Sequence, residues 1–450
     1  MSISIDPATG RKVFNTRAAA RTGTGTLGTG GYSVVTGGDL TTLPELPVGA
    51  VFNATEQAKY REYKETRRGA ADYMAMEGDF ARYLADVHSA DPVPREALTD
   101  ECDVVVVGAG FAGLLLWYKL SQAGFDDVRF CERGGDVGGT WYWNRYPGIA
   151  CDVESYSYFP LLEEMEYFPT MKFASGFEIF EYCQKMAEKF RFYDHALFHT
   201  AVTRTEWDED TQRWTVFTDR GDAMRSKFVI LANGILTSPK LARIKGMETF
   251  AGDAFHTSRW DYDVDLAGKR VGIIGTGATA VQCIPHLSRS AKELFVFQRT
   301  PSAIDARNNH TIDTEWFGKL EPGWQRKWMM NFTTLQTMGY AEEDLVMDGW
   351  TDISLRIRDR MVEIIKAGGQ MGPETLLKAY EDSDDEKMSE IRARVDTIVA
   401  DGATADALKP WYRQLCKRPC FHDEYLQTFN RPNVHLVDTD GRGVERIDAT

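Results

Sequence analysis

An α/β fold with two nucleotide-cradling units and a helical insertion is predicted by three observations. Val104-Val-Val-Val107 runs straight into Gly108-Ala-Gly110-Phe-Ala-Gly113. Val271-Gly-Ile-Ile274 likewise runs into Gly275-Thr-Gly277-Ala-Thr-Ala280. Between Thr311 and Leu408 the periodicity turns helical, with Trp, Met and Arg at three- and four-residue spacings. In a Rossmann-like strand–turn–helix unit the first glycine makes the tight turn and the second lets backbone approach a pyrophosphate. The third lets helix pack close to strand, and the phosphates lie on the helix N-terminus. A lone copy of such a motif arises by chance; two, each between an apolar strand and a helix, predict two dinucleotide-binding domains.

The strand after each turn indicates which nucleotide is held. About 20 residues beyond the first, the strand Val128-Arg-Phe-Cys131 ends in Glu132, a carboxylate able to accept hydrogen bonds from ribose hydroxyls, as FAD or NAD requires. At the matching offset beyond the second, Leu294-Phe-Val-Phe297 leads to Arg299, with no carboxylate at the strand end. A guanidinium there suits the 2′-phosphate of NADPH. The pair reads as FAD first and NADPH second.

The other elements are taken in chain order. Residues 1–100 form an N-terminal extension: a Gly- and Thr-rich tail over 22–38, expected to be disordered, then a stretch over 54–88 with Tyr60, Tyr63, Tyr73, Phe80, Tyr83 and Leu84 at helical spacing, predicting one or two helices. Pro92 and Pro94 mark the link into the FAD-binding domain, 101–236. Within it, Glu206-Trp207 and Trp214-Thr-Val-Phe217 flank a polar turn and predict a β-hairpin, and Lys227–Ala232 reads as a buried strand. The first part of the NADP-binding domain covers 237–305 and the helical insertion 306–408. The acidic run Glu381–Glu386 in the insertion is expected to be a solvated helix start. The second part of the NADP domain, 409–450, brings back the α/β pattern at Val434–Val437. Because a doubly wound sheet rarely ends on such a fragment, the C-terminal remainder of the FAD domain is expected to be missing.

Composition narrows the function classes. The 450 residues are 43% hydrophobic and 26% charged, ordinary for a globular chain. A net charge of −15 argues against nucleic-acid partners, which need clustered Lys and Arg. Seven scattered cysteines suit reduced thiols in the cytoplasm, and Cys416-x3-Cys420 lacks the partners of a metal site. The apolar run Val104–Tyr118 is too short to span a bilayer, so no membrane partner is expected. Arg11, Lys12, Arg17 and Arg21 give the N-terminus only a faint transit-peptide flavour.

Four further motifs occur in one order: Gly138-Gly-Thr-Trp-Tyr-Trp-Asn-Arg-Tyr-Pro-Gly148 followed by Cys151-Asp152; Phe250-x-Gly252-x3-His256-x3-Trp260-Asp261; Phe297-Gln-Arg-Thr-Pro301; and Cys416-Lys-Arg-Pro419. Taken singly, Trp141, Trp143 and Trp260 are compatible with core packing, His256 with a satisfied core histidine, and Asp152 with Arg418 as a structural ion pair. In register, they resemble the type I Baeyer–Villiger monooxygenases, a class B flavoprotein monooxygenase family, over residues 101–450. Trp260-Asp261 separates the chain from the N- and S-oxidising flavin monooxygenases, the alternative reading. Trp141 and Tyr142 stand where a flavin disulfide reductase would carry a redox cysteine. A truncated nucleotide-binding module without full activity is the remaining alternative.

The resemblance implies that NADPH reduces FAD, O2 adds at the flavin C4a position, and the peroxyflavin converts a ketone, bulky or cyclic by analogy, to an ester or lactone. It implies a catalytic pair, Arg418 with Asp152 orienting it. It places Gly108, Gly110, Gly113, Glu132, Thr140, Trp141, Tyr142, Trp143, Asp152, Tyr158 and Val202 on FAD. It places Gly275, Thr276, Gly277, Ala278, Thr279, Ala280, Gln282, Arg299, Thr300 and Lys417 on NADPH. His256 and Trp260 are expected to govern domain closure, in a monomer or weak homo-oligomer.

Overall fold

The computed structural model of the chain describes residues 73–89, 92–370 and 372–450, with short stretches near the N-terminus (2–5, 12–15, 58, 59 and 62). The Gly- and Thr-rich tail and most of the segment predicted helical over 54–88 lie outside these residues. Within that segment the described residues 58, 59 and 62 are helical, and Gly78–Leu84 forms a 3-10 helix. Only Tyr83 of its apolar residues is fully buried. Tyr73 instead bridges Ala242 in an antiparallel contact.

Two sheets carry the molecule. The first has six strands: β1 (Glu101–Val107), β2 (Val128–Cys131), β3 (Ala196–Leu197), β4 (Val202–Asp208), β5 (Arg213–Thr218) and β6 (Ala223–Leu231). Their spatial order is β3-β2-β1-β6-β5-β4. β1 runs parallel to β2 and β6, with Val104 opposite Val128 on one side and Phe228 on the other. A strand flanked on both sides and covered on both faces must be apolar throughout, and Val104, Val105 and Val106 are at most 2% exposed. The strand expected over Lys227–Ala232 is the second half of β6, but it is not buried throughout: Phe228 and Leu231 are exposed. The predicted hairpin is β4–β5, antiparallel, with Trp207 facing Trp214.

Helix α1 (Phe111–Gln122) comes directly after the first glycine turn and buries Gly113, Leu114, Trp117 and Leu120. Helix α2 (Gly176–Lys189) packs through Ile179, Tyr182, Cys183, Met186 and Ala187, the spacing of one helical face. The Ser175 hydroxyl caps it by accepting from the Glu178 N–H at 3.2 Å.

The second sheet has three parallel strands in the order β11-β8-β7, where β7 is Arg270–Ile274, β8 Glu293–Gln298 and β11 Val434–Asp438. Helix α3 (Ala278–Ser290) connects β7 to β8. The strand expected at Val434–Val437 is therefore the outer strand of this unit, reached after the insertion. The insertion's ends are held side by side by two short parallel strands, β9 (Ile304–Asp305) and β10 (Cys420–Phe421). Between them lie α4 (Trp324–Gln336), α5 (Gly349–Lys366), α6 (Pro373–Ile398) and α7 (Gly402–Leu408). Ile353 and Ile357 of α5 meet Ala379 of α6 in a separate small core.

The acidic run does not start a helix and, apart from the exposed Glu386 and the half-buried Asp382, is not solvated. It lies inside α6, and Glu381, Asp384 and Asp385 are 6%, 1% and 2% exposed. The cause is Arg413, whose guanidinium reaches all three carboxylates at 3.4, 3.2 and 3.1 Å. Asp384 also accepts the backbone N–H of Gln414 at 2.8 Å. A buried charge persists only when it is paired and hydrogen-bonded, and here one cation serves three anions. Burial, with the neighbouring carboxylates, pushes Asp385 up to about 6.

Candidate active site

The first glycine turn builds a cradle. Gly108 has φ +111°, and a Cβ there would sit 2.5 Å from the Ala232 carbonyl oxygen just past the end of β6. Gly110 closes against Gly139, its would-be Cβ 3.4 Å from that Cα. A Cβ on Gly113 would collide with the Gly108 carbonyl, so the third glycine sets helix-to-turn packing. No side chain caps α1, which leaves its first N–H groups directed at the opening. Glu132 is 6% exposed and accepts the N–H groups of Ala109 and Gly134, both at 2.8 Å. Burial raises its pKa from the ordinary carboxylate value, opposed by those two hydrogen bonds.

Around this turn lies a cleft of about 750 Å³, within the range of cofactor sites. Of the residues placed on the flavin by sequence, Gly108, Gly110, Glu132, Thr140, Trp141, Trp143, Tyr158 and Val202 line it. Gly113 lies behind the turn. Tyr142 is buried beneath the cleft, where its hydroxyl donates to Asp86 at 2.5 Å. Asp152 is committed elsewhere, to Arg418.

Sequence reasoning missed several parts of this wall. Arg133, Thr200, Leu231 and the Asn233–Ile235 stretch also line the cleft. Arg259, between His256 and Trp260, is 2% exposed and lies 4.1 Å from the Trp143 ring, with Arg133 at 4.6 Å from the same ring. It donates to Ala85 and Thr237 carbonyls at 2.9 and 3.2 Å, joining the N-terminal segment to the cleft wall. Burial, and secondarily Arg133, pulls its pKa down to about 10. No short-range pattern announces these contacts; only the basic residue inside the His256–Trp260 motif offered a signal. His256 accepts the Ser258 N–H at 3.1 Å and Trp260 is buried against Phe255, so both act within this linker.

The second turn repeats the geometry. Gly275 has φ +111° and Gly277 begins α3, again without a side-chain cap. Ala278, Thr279 and Ala280 form the first turn of α3. Thr276 donates to the Thr300 carbonyl at 2.8 Å, and Lys417 donates to the Thr300 hydroxyl at 2.6 Å. Arg299 is exposed at the end of β8. Thr276, Thr300 and Lys417 are thus gathered beyond the carboxyl ends of the strands, where open α/β sheets bind ligands.

Gln282 has a different placement. It is buried; its amide oxygen accepts from the Tyr146 hydroxyl at 2.9 Å and its amide nitrogen donates to the Ala150 carbonyl at 2.9 Å. It fastens α3 to the loop that carries Asp152. Gly148 permits that approach, since its Cβ would lie 2.5 Å from the Gln282 carbonyl oxygen.

At the end of this loop, Asp152 receives two hydrogen bonds from Arg418, at 2.5 and 2.7 Å. The carboxylate side chain is 9% exposed and the guanidinium side chain 51%. Burial pulls the Arg418 pKa down, but the bonds and charge of Asp152 hold it above its ordinary value. A bidentate fork with a buried anchor and an open outer face can present fixed positive charge to a reacting oxygen.

A family model described as flavin-binding monooxygenase-like matches residues 101–312. The neopentalenolactone D synthase of Streptomyces avermitilis is 52% identical over 408 residues, covering 88% of this chain and 68% of its own. The chain belongs to the Baeyer–Villiger monooxygenase family. Baeyer-Villiger monooxygenase 4 of Dietzia sp. is 46% identical over 410 residues, covering 89% of this chain and 66% of that relative. Among solved structures, polycyclic ketone monooxygenase from Thermothelomyces thermophila superposes with a TM-score of 0.79 at 39% identity, over 88% of this chain and 68% of that one. OTEMO in complex with FAD and NADP gives 0.63 at 32% identity, over 77% and 67%. The chain spans about two thirds of the length of these family members. Among the described residues, no helix is long and apolar enough to cross a membrane.

Proposed function

We propose that this chain is an FAD- and NADPH-dependent Baeyer–Villiger monooxygenase that uses O2 to convert ketones to esters or lactones, with Arg418 and Asp152 as its catalytic pair. The observation that carries the assignment of the pair is the bidentate ion pair itself: its carboxylate stands on a loop of the first fold and its cation on the return segment of the second. The residues fit the two nucleotides. Gly108 and Gly110 line the cleft as a tight turn in which a Cβ on Gly108 would strike the Ala232 carbonyl oxygen, and Glu132 lies at the strand end that suits a ribose. On the second fold, Arg299, Thr300 and Lys417 form a basic and hydroxyl-bearing edge for a 2′-phosphate. When bound, the flavin supplies hydride acceptance from NADPH and activation of O2 for attack on a carbonyl.

The chain's own residues then have distinct tasks. Arg418 offers charge that does not titrate in the working range, so it can stabilise an oxyanion developing on the ketone oxygen without first taking a proton. Asp152 fixes the plane of the guanidinium. Gln282 and Tyr146 hold the loop that carries Asp152 and α3 in register. Bulky cyclic ketones are the proposed substrates, on the likeness to the polycyclic ketone monooxygenase. A cytoplasmic monomer or weak homo-oligomer completes the reading: all seven cysteines are free, as suits a reducing compartment. Light scattering reads the association state.

The decisive test is Arg418→Ala, assayed on a panel of cyclic ketones. Ester formation falls by on the order of 10²–10³, while FAD remains bound and slow NADPH oxidation to hydrogen peroxide continues. Ester formed at near wild-type rate would remove Arg418 from the chemistry.

A further inference from the structure

Three contacts converge on Trp350, a residue of the insertion that lies outside the catalytic pair and both nucleotide sites. Its indole Nε1–H donates to the backbone carbonyl of Asp152 at 2.8 Å. The Arg418 guanidinium carbon lies 5.6 Å from its ring centroid. Its other neighbour, Phe421 of β10, packs with ring centroids 5.3 Å apart.

The position of this indole is fixed by the way α5 begins. Asp348 accepts the N–H groups of Trp350 and Thr351 at 2.8 and 3.3 Å, while Thr351 answers the Asp348 N–H, closing a capping box. Thr351 also donates to Asp344 at 2.6 Å. Gly349 leaves no room for sliding, since a Cβ there would run into the Phe421 ring. The helix start is locked, and Trp350, which it holds toward the ion pair, touches both partners.

We propose that Trp350 is a positioning residue for Arg418. It steadies the peptide of Asp152 from behind and gives the guanidinium an aromatic face beside its carboxylate. A cation resting between a carboxylate and a π face can shift toward a reacting oxygen without being released to solvent. The insertion thereby takes part in the reaction through one indole. This inference rests on the catalytic reading of Arg418.

Two variants of the cofactor-loaded enzyme test it. Trp350→Phe keeps a ring but removes the indole N–H; Trp350→Leu removes both contacts. Coupled turnover gives one ester per NADPH, and uncoupled turnover gives one hydrogen peroxide. The expected result is a graded rise in the peroxide-to-ester ratio, smaller in the Phe variant and about three- to tenfold in the Leu variant. FAD occupancy and the NADPH Michaelis constant stay at wild-type values. A second readout needs no turnover: a crystal structure of the Leu variant without cofactors should show Arg418 displaced from its two-point contact with Asp152. A wild-type ratio in both variants, or an unmoved Arg418 in the Leu variant, overturns the proposal. If the Leu variant does not fold, the ratio in the Phe variant decides alone. Arg418→Ala run in parallel separates the two ideas. If that variant loses ester while both Trp350 variants match wild type, only the role of Trp350 fails. If it makes ester normally, the reading of Arg418 fails as well.

Discussion

Replacing Arg413 with Met removes the cation shared by three carboxylates in the middle of α6 while keeping much of the side-chain volume. The side chains of Glu381, Asp384 and Asp385 are 8%, 1% and 2% exposed, so water does little to compensate them. Breaking a buried pair by deleting one partner costs about 3–5 kcal/mol, because the remaining charge is stranded. The loss is pH-dependent, with a sign that can be worked out. Asp385 already titrates at about 6, and Asp384 is raised by burial, with Arg413 opposing both shifts. Removing Arg413 lifts both carboxyls further. The folded variant then holds protons that the unfolded chain has released, so its stability falls as pH rises. Urea unfolding, followed by far-UV circular dichroism at about pH 8 and about pH 5.5, should show the larger loss at the higher pH. A loss below about 1 kcal/mol at pH 8, the scale of an exposed ion pair, would refute the description of this cluster as a buried three-to-one pair. So would a loss that grows toward pH 5.5.

Other substitutions probe the two nucleotide sites and a second buried acid. Arg299→Ala should raise the NADPH Michaelis constant and leave NADH nearly unchanged in steady-state kinetics; equal loss with both would count against a 2′-phosphate contact. Glu132→Ala should lower FAD occupancy after dialysis and also lower the melting temperature. The structure adds the second effect, because the Ala109 and Gly134 N–H groups lose their acceptor at about 1–3 kcal/mol each. Glu154, which accepts the Trp328 indole N–H at 2.6 Å, is pushed up to about 8 by burial. A raised carboxyl pKa means stability lost as pH rises from about 4.5 to about 8. Glu154→Gln should flatten that part of the melting-temperature profile, and an unchanged slope would show that Glu154 does not set it.

Much of the fold was legible because its signals are local. Each glycine turn sits within a dozen residues of its strand and helix, and the switch to helical period marks the insertion directly. The glycine turns, Glu132 and Arg299 were expected from local spacing, whereas the other residues assigned to the two nucleotides rested on motifs in register. What sequence did not show depends on partners far away along the chain. The run Glu381–Glu386 has the composition of a solvated surface, and nothing near it announces Arg413. Tyr142 turns from the cleft because Asp86 waits beneath it. Gln282 sits one turn into a nucleotide-binding helix, yet its amide is spent on Tyr146 and Ala150. Trp350 has the local pattern of an ordinary helix aromatic, and only the packing of the start of α5 against Asp152 sets it apart.

The two short strands β9 and β10 bear on how the chain assembles. The outer strand of the NADP unit must find its neighbour from far along the chain: the Asn433 amide donates to the Ala291 carbonyl across 142 positions. Contacts so remote in sequence slow folding, because chain entropy is lost before the contact is made. The pairing of Ile304 with Cys420 shortens that search. Once the insertion has folded and its ends are zipped together, β11 is only a short tether from β8. The expected order is helices first, zipper second and sheet last, so the unit that binds the second nucleotide is the last to acquire its outer strand.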